Sequence, residues 1–303
     1  MCVLGAVLPA RWLRICVFSN YVAIFAMSWD ILSGYTGYVS FGHPFIFGLA
    51  GYTSAMLSKH LGLPLYATMP IGIGAGLGAG MLFFLPGLRL RGNYFCLVTL
   101  GWLIVIHNLM KTVRPDLTGG TRGLTNIQHV FLGANDNYWL SLGIMFAVAL
   151  GLWYVSRSNT GAVFNAIRMD EDSVSTAGLN AFRFKLLAFT LSAVAGGLGG
   201  VFFTHYLGAI SPESTFGIDF NLTVIIAALI GGQNTILGPI SGAYFVTFLL
   251  EYLRPYLPGP PRFLAFSLIA LFLYVFRTRG FYGIIQDVTN WYRMRGKKGV
   301  EYG

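Results

Sequence analysis

Two long runs of this sequence contain no Asp, Glu, Lys or Arg: Asn137 to Ser156 and Leu186 to Pro212. A bilayer core takes about 20 mostly apolar residues of helix to cross. Both runs are long enough, so both are expected to be membrane-crossing helices. Between them lies a stretch of a different kind, Arg157 to Lys185. It holds Arg157, Arg168, Asp170, Glu171, Asp172, Arg183 and Lys185. Charge at that density between two crossings marks an aqueous loop.

The loop is also patterned as a helix. Ser158, Asn159 and Thr160 are N-cap candidates, and Gly178 is placed to end a helix. Val163, Ile167, Val174 and Ala177 recur on one face, with Phe164 beside them. The spacing predicts one amphipathic helix over residues 161–178. Its apolar face has three candidate covers: the rest of the loop, the lipid surface, or a partner protein.

Composition extends the membrane reading to the whole chain. Hydrophobic residues make up 55% and charged residues 10%, where a soluble domain carries about 25% charged. The 39 glycines suit helices that pack closely in lipid. The net charge of +9 is no nucleic-acid signature, because the basic residues sit at the ends of apolar segments. Cys2, Cys16 and Cys96 have no paired spacing, so neither a disulfide framework nor a metal site is expected.

The expected fold is all-α. It is a polytopic transmembrane helical bundle of about nine crossings with broken, Gly-rich helices, in one domain over residues 1–303. The crossings are roughly 12–33, 40–58, 65–87, 94–113, 137–156, 186–209, 220–232, 238–254 and 262–277. The loop 157–185 and the basic tail 277–303 share one side. Of the 20 Lys and Arg, eight then fall on the other side: Arg11, Arg14, Lys59, Lys111, Arg114, Arg122, Arg254 and Arg262. The remaining 12 favour the loop side as cytoplasmic. Arg11 and Arg14 run against that bias, so either a first helix is missing or the stretch around Gly34 to His43 re-enters instead of crossing.

Glycine concentrates in three places: Gly34–Gly42, Gly72–Gly80, and Gly231–Gly242. The first and third resemble each other and suggest broken helices in corresponding halves. Such breaks point to a midplane pathway, here assigned to Asp30, Gly34, Tyr35, Thr36, Gly37, His43, Gly231 and Gly232. Ionisable residues in apolar segments are Asp30, His43, His107, His205 and Glu251. Asp30 is the leading pathway candidate, with a structural hydrogen bond as its alternative. His107 is expected to bond a neighbouring helix. His205 and Glu251 are expected to reach the interface. No nucleophile elbow, zinc-ligand spacing or Walker lysine motif occurs, so no catalytic residue and no metal is assigned, and the chain is not expected to be an enzyme.

The run Ala26–Met27–Ser28–Trp29–Asp30–Ile31–Leu32–Ser33–Gly34–Tyr35–Thr36–Gly37 with Ser40–Phe41–Gly42–His43 resembles the LivM-type permease family of branched-chain amino acid ABC importers. So do Leu90–Arg91–Gly92–Asn93–Tyr94–Phe95, Leu117–Thr118–Gly119–Gly120–Thr121, Ala166–Ile167–Arg168 with Glu171, Gly178–Leu179–Asn180, and Gly231–Gly232 with Gly238–Pro239. The series is collinear over nearly the whole chain. It departs where a further N-terminal helix is usual, at Asp30 (often Asn), at Arg122 (often Asp), and at Ser173–Val174 (commonly two alanines). The resemblance implies a permease subunit for branched-chain or related amino acids in a bacterial inner membrane. Its partners would be a second permease of the LivH type, two ABC ATPase subunits and a periplasmic amino-acid-binding protein. It implies no cofactor on this chain, ATP being bound by the partner subunits. The 161–178 helix would dock on an ATPase, with Phe164, Ile167, Arg168, Asp170, Glu171, Val174 and Gly178 as coupling residues. An ion-coupled secondary transporter is the alternative.

Overall fold

The computed structural model describes residues 9–90 and 94–276, with the isolated positions 280 and 283. The basic tail, including Arg293, Arg295, Lys297 and Lys298, and the motif residues 91–93 lie outside the described residues.

The chain is an α-helical bundle built around its first helix, α1 (Ala10–Thr36). The apolar part of α1 is 89% buried, against 22% for α4 (Tyr94–Thr112) and α6 (Ala134–Arg157), which face outward. A helix apolar all round needs apolar neighbours all round. Those of α1 are α6, α9 (Ala181–Leu207), α11 (Ile218–Gly231) and α12 (Leu237–Leu253). Helices α2 (His43–Leu61) and α3 (Leu65–Leu88) pack together against α9, and α13 (Pro260–Phe276) lies against α11 and α12. The short helices α5 (Pro115–Thr118), α7 (Asn159–Met169), α8 (Glu171–Thr176) and α10 (Pro212–Phe216) complete the order. Aromatic rings fill the core around α1: Tyr21 stacks on Phe203 at 3.8 Å, and Phe25 meets Phe47 edge-on at 4.2 Å.

Each of the nine segments expected to cross coincides over most of its length with a helix among the described residues. Among the described residues, six spans are long and apolar enough to cross a membrane by themselves, the last of them made of α10 and α11 together. Helices α12 and α13 are shorter apolar segments, and α2 falls outside the six. The chain is therefore a multi-pass membrane protein.

Side-chain contacts sort the connections into two ends. At one, the α7–α8 segment lies under the C-terminus of α1, and the turn between α11 and α12 sits beside it. At the far end, Leu124 pairs with Ile210 in a two-residue antiparallel ladder, and Lys111 reaches Glu213 at 2.6 Å. The His60 ring also meets the Leu117 carbonyl there, at 3.1 Å.

One sequence expectation about α1 changes. The helix does not break at Gly34; it runs on to Thr36 and stops at Gly37, whose φ of +77° is left-handed. The chain then doubles back along the last turns of α1. Trp29 Nε1 donates to the Ser40 carbonyl at 2.8 Å, and the His43 ring meets Ser28 Oγ at 2.9 Å. The segment 37–43 thus folds back beside α1 before α2 carries the chain to the far end, so it does not take the place of a crossing, and Arg11 and Arg14 stay at the far end.

The alternating glycines of α3 divide by face. A Cβ on Gly72 or Gly76 would come within 2.6 Å of the Ala50 or Ile46 carbonyl of α2. A Cβ on Gly74 or Gly78 would meet nothing within 4 Å. The stripe at i, i+4 permits backbone approach to α2; the other face does not need glycine.

Candidate functional site

The expected single helix over 161–178 is two helices, α7 and α8, meeting at an elbow at Asp170. The cause is local. Asp170 is extended (φ −162°) and caps the second helix: its Oδ1 accepts the Asp172 N–H at 3.0 Å and its Oδ2 accepts the Ser173 hydroxyl. Aspartate favours this capping position over a helix interior. These bonds, the Ser173 hydroxyl first, hold the Asp170 carboxyl below the usual carboxylate range. At the other end Gly178, at φ +83°, turns the chain, and Asn180 caps α9 through the Arg183 N–H.

The apolar face of the elbow is covered by its own chain. Phe164, Ile167 and Val174 are 0%, 4% and 5% exposed and join the bundle core, with α7 against α1, α6 and α9. The cover is a fourth one that the three candidates did not include: the crossing helices α1, α6 and α9, the nearest apolar surface. The outward face presents Met169, 88% exposed, with Asp170, Asp172, Gly178 and Leu179. Met169 was not singled out from the sequence; one apolar residue beside a charged run gives no periodic signal.

Four hydrogen bonds tie this elbow, the start of α9 and the end of α1 together. Arg168 Nη1 donates to the Gly34 carbonyl at 2.6 Å. Lys185 Nζ, on a side chain only 3% exposed, donates to Glu171 Oε1 and to Tyr38 Oη, each at 2.8 Å. Tyr38 Oη in turn donates to Glu171 Oε2, and the ammonium lies 4.3 Å from the centre of the Tyr38 ring. A buried ammonium is costly unless paired; here a carboxylate, a phenol and an aromatic face share it. Between the elbow and α1 opens a cavity of about 270 Å³, lined by Thr36, Gly37, Tyr38, Arg168, Glu171 and their neighbours.

The remaining pathway candidates separate into two groups. Asp30 and Gly34 meet Asn234, in the turn that Gly231 and Gly232 begin. Asp30 Oδ1 accepts the Asn234 N–H at 3.0 Å, joining α1 to the turn after α11. A Cβ on Gly34 would lie 1.8 Å from that carboxylate oxygen, so glycine leaves Asp30 room to lie over the next turn. Tyr35 is buried beside them, and Thr36 returns its hydroxyl to the Leu32 carbonyl. His43 lies apart: its Nε2 meets both Ser28 and Ser192 hydroxyls at 2.9 Å, pinning α2 to α1 and α9.

His205 corrects the expectation of an interfacial residue. It is fully buried, with Nε2 at 2.7 Å from Ser54 Oγ and Nδ1 at 2.8 Å from the Gln128 carbonyl. The far-end loop folds over it, which hydropathy along α9 does not reveal. His107 bonds Glu213 of α10 at 3.2 Å, and Glu251 stands at the bundle end between Arg11 and Arg254.

Comparison with known proteins follows the same lines. A family model described as the branched-chain amino acid transport system permease component matches residues 12–276. The high-affinity branched-chain amino acid transport system permease protein LivM of Escherichia coli K12 is 28% identical over 262 residues, 77% of this chain and 61% of that protein. The autoinducer 2 import system permease protein LsrC of Enterobacter sp. strain 638 is 26% identical over 63% of this chain and 56% of its own length. The chain thus spans about six-tenths of the length of these relatives. A solved structure described as an inward-facing metal-chelate type ABC transporter aligns with a TM-score of 0.50 at 17% identity, covering 87% of this chain and 84% of that one. That likeness is one of fold.

Proposed function

The chain belongs to the branched-chain amino acid transport permease family, and from that premise we propose that it is the membrane subunit of an ATP-driven importer for branched-chain or related amino acids. The observation that carries the reading is the family match from residue 12 to residue 276, which takes in every crossing and the elbow. The phrase "or related" follows from the LsrC similarity, since that permease serves a different cargo.

In this reading the bundle makes nine crossings of a bacterial inner membrane, with the elbow end cytoplasmic. A second permease of the LivH type, two ABC ATPase subunits and a periplasmic binding protein complete the importer, and ATP is bound by the ATPases. The exposed Met169, Asp170, Asp172 and Leu179 supply an acidic and apolar surface for an ATPase groove, where basic side chains would pair with the carboxylates. Phe164, Ile167 and Val174 act behind that surface, transmitting its movement to the core. A push on the elbow reaches α1 through Arg168 and the Glu171–Lys185–Tyr38 cluster, then reaches the α11–α12 turn through Asp30. Nucleotide shifts the transporter between states only if the ATPases grip the elbow differently in each.

The test is uptake of labelled leucine into proteoliposomes holding this chain with its second permease and ATPases, supplied with binding protein. Uptake should require ATP and disappear when residues 161–178 are deleted. Uptake by this chain alone, driven by an ion gradient without ATP, would establish a secondary transporter instead.

A further inference from the structure

A slot of about 690 Å³ opens at the far end of the bundle, between the start of α1, the end of α12 and the first turn of α13. Helical spacing builds its walls. Arg11, Arg14, Ile15 and Phe18 form one face of α1, and Thr247, Leu250, Glu251 and Arg254 form the facing stripe of α12. Arg262 closes the third side. Four guanidinium groups against one carboxylate leave three positive charges in excess.

Glu251 does not cancel that excess. Its Oε1 accepts from Arg11 at 3.3 Å and its Oε2 from Arg254 at 3.4 Å, and both arginine side chains are about two-thirds exposed, at 68% and 67%. Long, solvated pairs of this kind contribute little. Their effect is to hold two guanidinium groups side by side at the mouth. Arg14 and Arg262 bring two further charges, and among the described residues no second carboxylate lines the slot.

Depth and floor narrow the ligand. Trp12 stacks on Phe248 at 6.1 Å, and Tyr252 and Tyr256 are exposed beside it, which is the aromatic signature of a membrane–water interface. Beneath the arginines the slot is apolar, with Ile15, Phe18 and Leu250. The charge bias of the sequence bears on the same place. Eight Lys and Arg lie at the far end against the usual rule, and four of the eight line this one slot. We propose that the slot binds the phosphate of an anionic phospholipid headgroup, with an acyl chain along Phe18 and Leu250. Guanidinium groups grip phosphate oxygens in pairs, and the lipid anion relieves the mutual repulsion of the four arginines. Soluble phosphate offers the same oxygens but leaves the apolar floor uncovered.

The experiment uses the purified full chain in phosphatidylcholine nanodiscs, with and without a minor fraction of phosphatidylglycerol. Phosphatidylglycerol should raise the unfolding midpoint by about 5 °C. The double variant Arg14→Gln/Arg262→Gln should lose most of that rise, Arg14→Lys/Arg262→Lys should keep most of it, and Lys59→Gln, elsewhere at the same end, should keep it all. An equal rise in wild type and the glutamine variant would overturn the proposal. So would a full rise with inorganic phosphate in pure phosphatidylcholine, which would make the occupant a soluble anion. If the glutamine variant fails to fold, native mass spectrometry of the wild type decides: phosphatidylglycerol should outcompete phosphatidylcholine about tenfold for the retained-lipid position, and equal retention would overturn the assignment.

Discussion

The Arg168 guanidinium donates to the Gly34 carbonyl at 2.6 Å, so the elbow is bonded to the last turns of the most buried helix in the bundle. Gly34 lies in the last turn of α1, where carbonyls run past the helix's own N–H donors, and the cation supplies a donor there. If movement enters at the elbow, this bond is on its shortest route to α1. Arg168→Met, which keeps the stem and removes the charge, should reduce ATP-driven uptake about tenfold, the worth of one charged hydrogen bond, with normal expression. Full uptake by the variant would remove Arg168 from the coupling route.

Glu171 and Lys185 should behave as a unit. Glu171→Gln leaves a buried ammonium with only a phenol and a ring, and should cost about 3 kcal/mol of stability. Lys185→Met removes the charge itself, and combining it with Glu171→Gln should recover much of that loss. Thermal unfolding in detergent measures both; additive losses in the double variant would show that the pair is not coupled.

Gly34 and Asp30 are coupled by space. Gly34→Ala places a methyl 1.8 Å from Asp30 Oδ1 and 3.1 Å from the Asn234 nitrogen, and should cost about 3 kcal/mol, at the upper end of overpacking penalties. Asp30→Ala alone breaks the link between α1 and the α11–α12 turn. In the Asp30→Ala/Gly34→Ala double variant the methyl has room, so the second substitution should add under about 1 kcal/mol.

Within α3, Gly76→Ala and Gly78→Ala form an internal control. The first drives a methyl into the Ile46 carbonyl at 2.6 Å, while the second points into open space. The expected losses are about 2 kcal/mol and under about 0.5 kcal/mol. Equal losses would mean that α2 and α3 do not pack along the 72–76–80 stripe.

Asp170 gives the elbow a pH limit. Its carboxyl is held below the ordinary value by the Ser173 hydroxyl and the backbone N–H groups of Ser173 and Asp172. A depressed carboxylate contributes stability above its unfolded value, about pH 4, and loses it as pH falls through the folded one. Helix α8 should therefore hold its protection at neutral pH and loosen only below about pH 4. Asp170→Ala should show the loosened state at pH 7, read as faster exchange of the Asp172 and Ser173 amides relative to their intrinsic rates.

How far the sequence reaches differs from one element to the next. The charge-free runs on either side of Arg157–Lys185 are enough to predict two crossings and an aqueous loop, because the cost of burying charge in lipid acts on each segment separately. Gly178 could be read as a stop for the same local reason. The elbow at Asp170 was partly legible: an aspartate two residues before an N–H donor is a capping signal, but the surrounding apolar period suggested one continuous helix. His205 was misplaced because a residue near a helix end can be exposed or covered, and only the far-end loop decides which.

By itself, then, the sequence determined which segments are helical, which of them are apolar enough for a membrane, and that the charged stretch 157–185 stands apart from them, since those follow from hydrogen bonding and solvation along one stretch of chain. Tertiary structure alone decided that Lys185 is buried against Glu171, that Asp30 meets Asn234, and that four arginines from three helices surround one slot. These pairings join residues as much as 251 positions apart, from Arg11 to Arg262. They depend on how the helices pack, and no local rule of spacing or propensity carries that information.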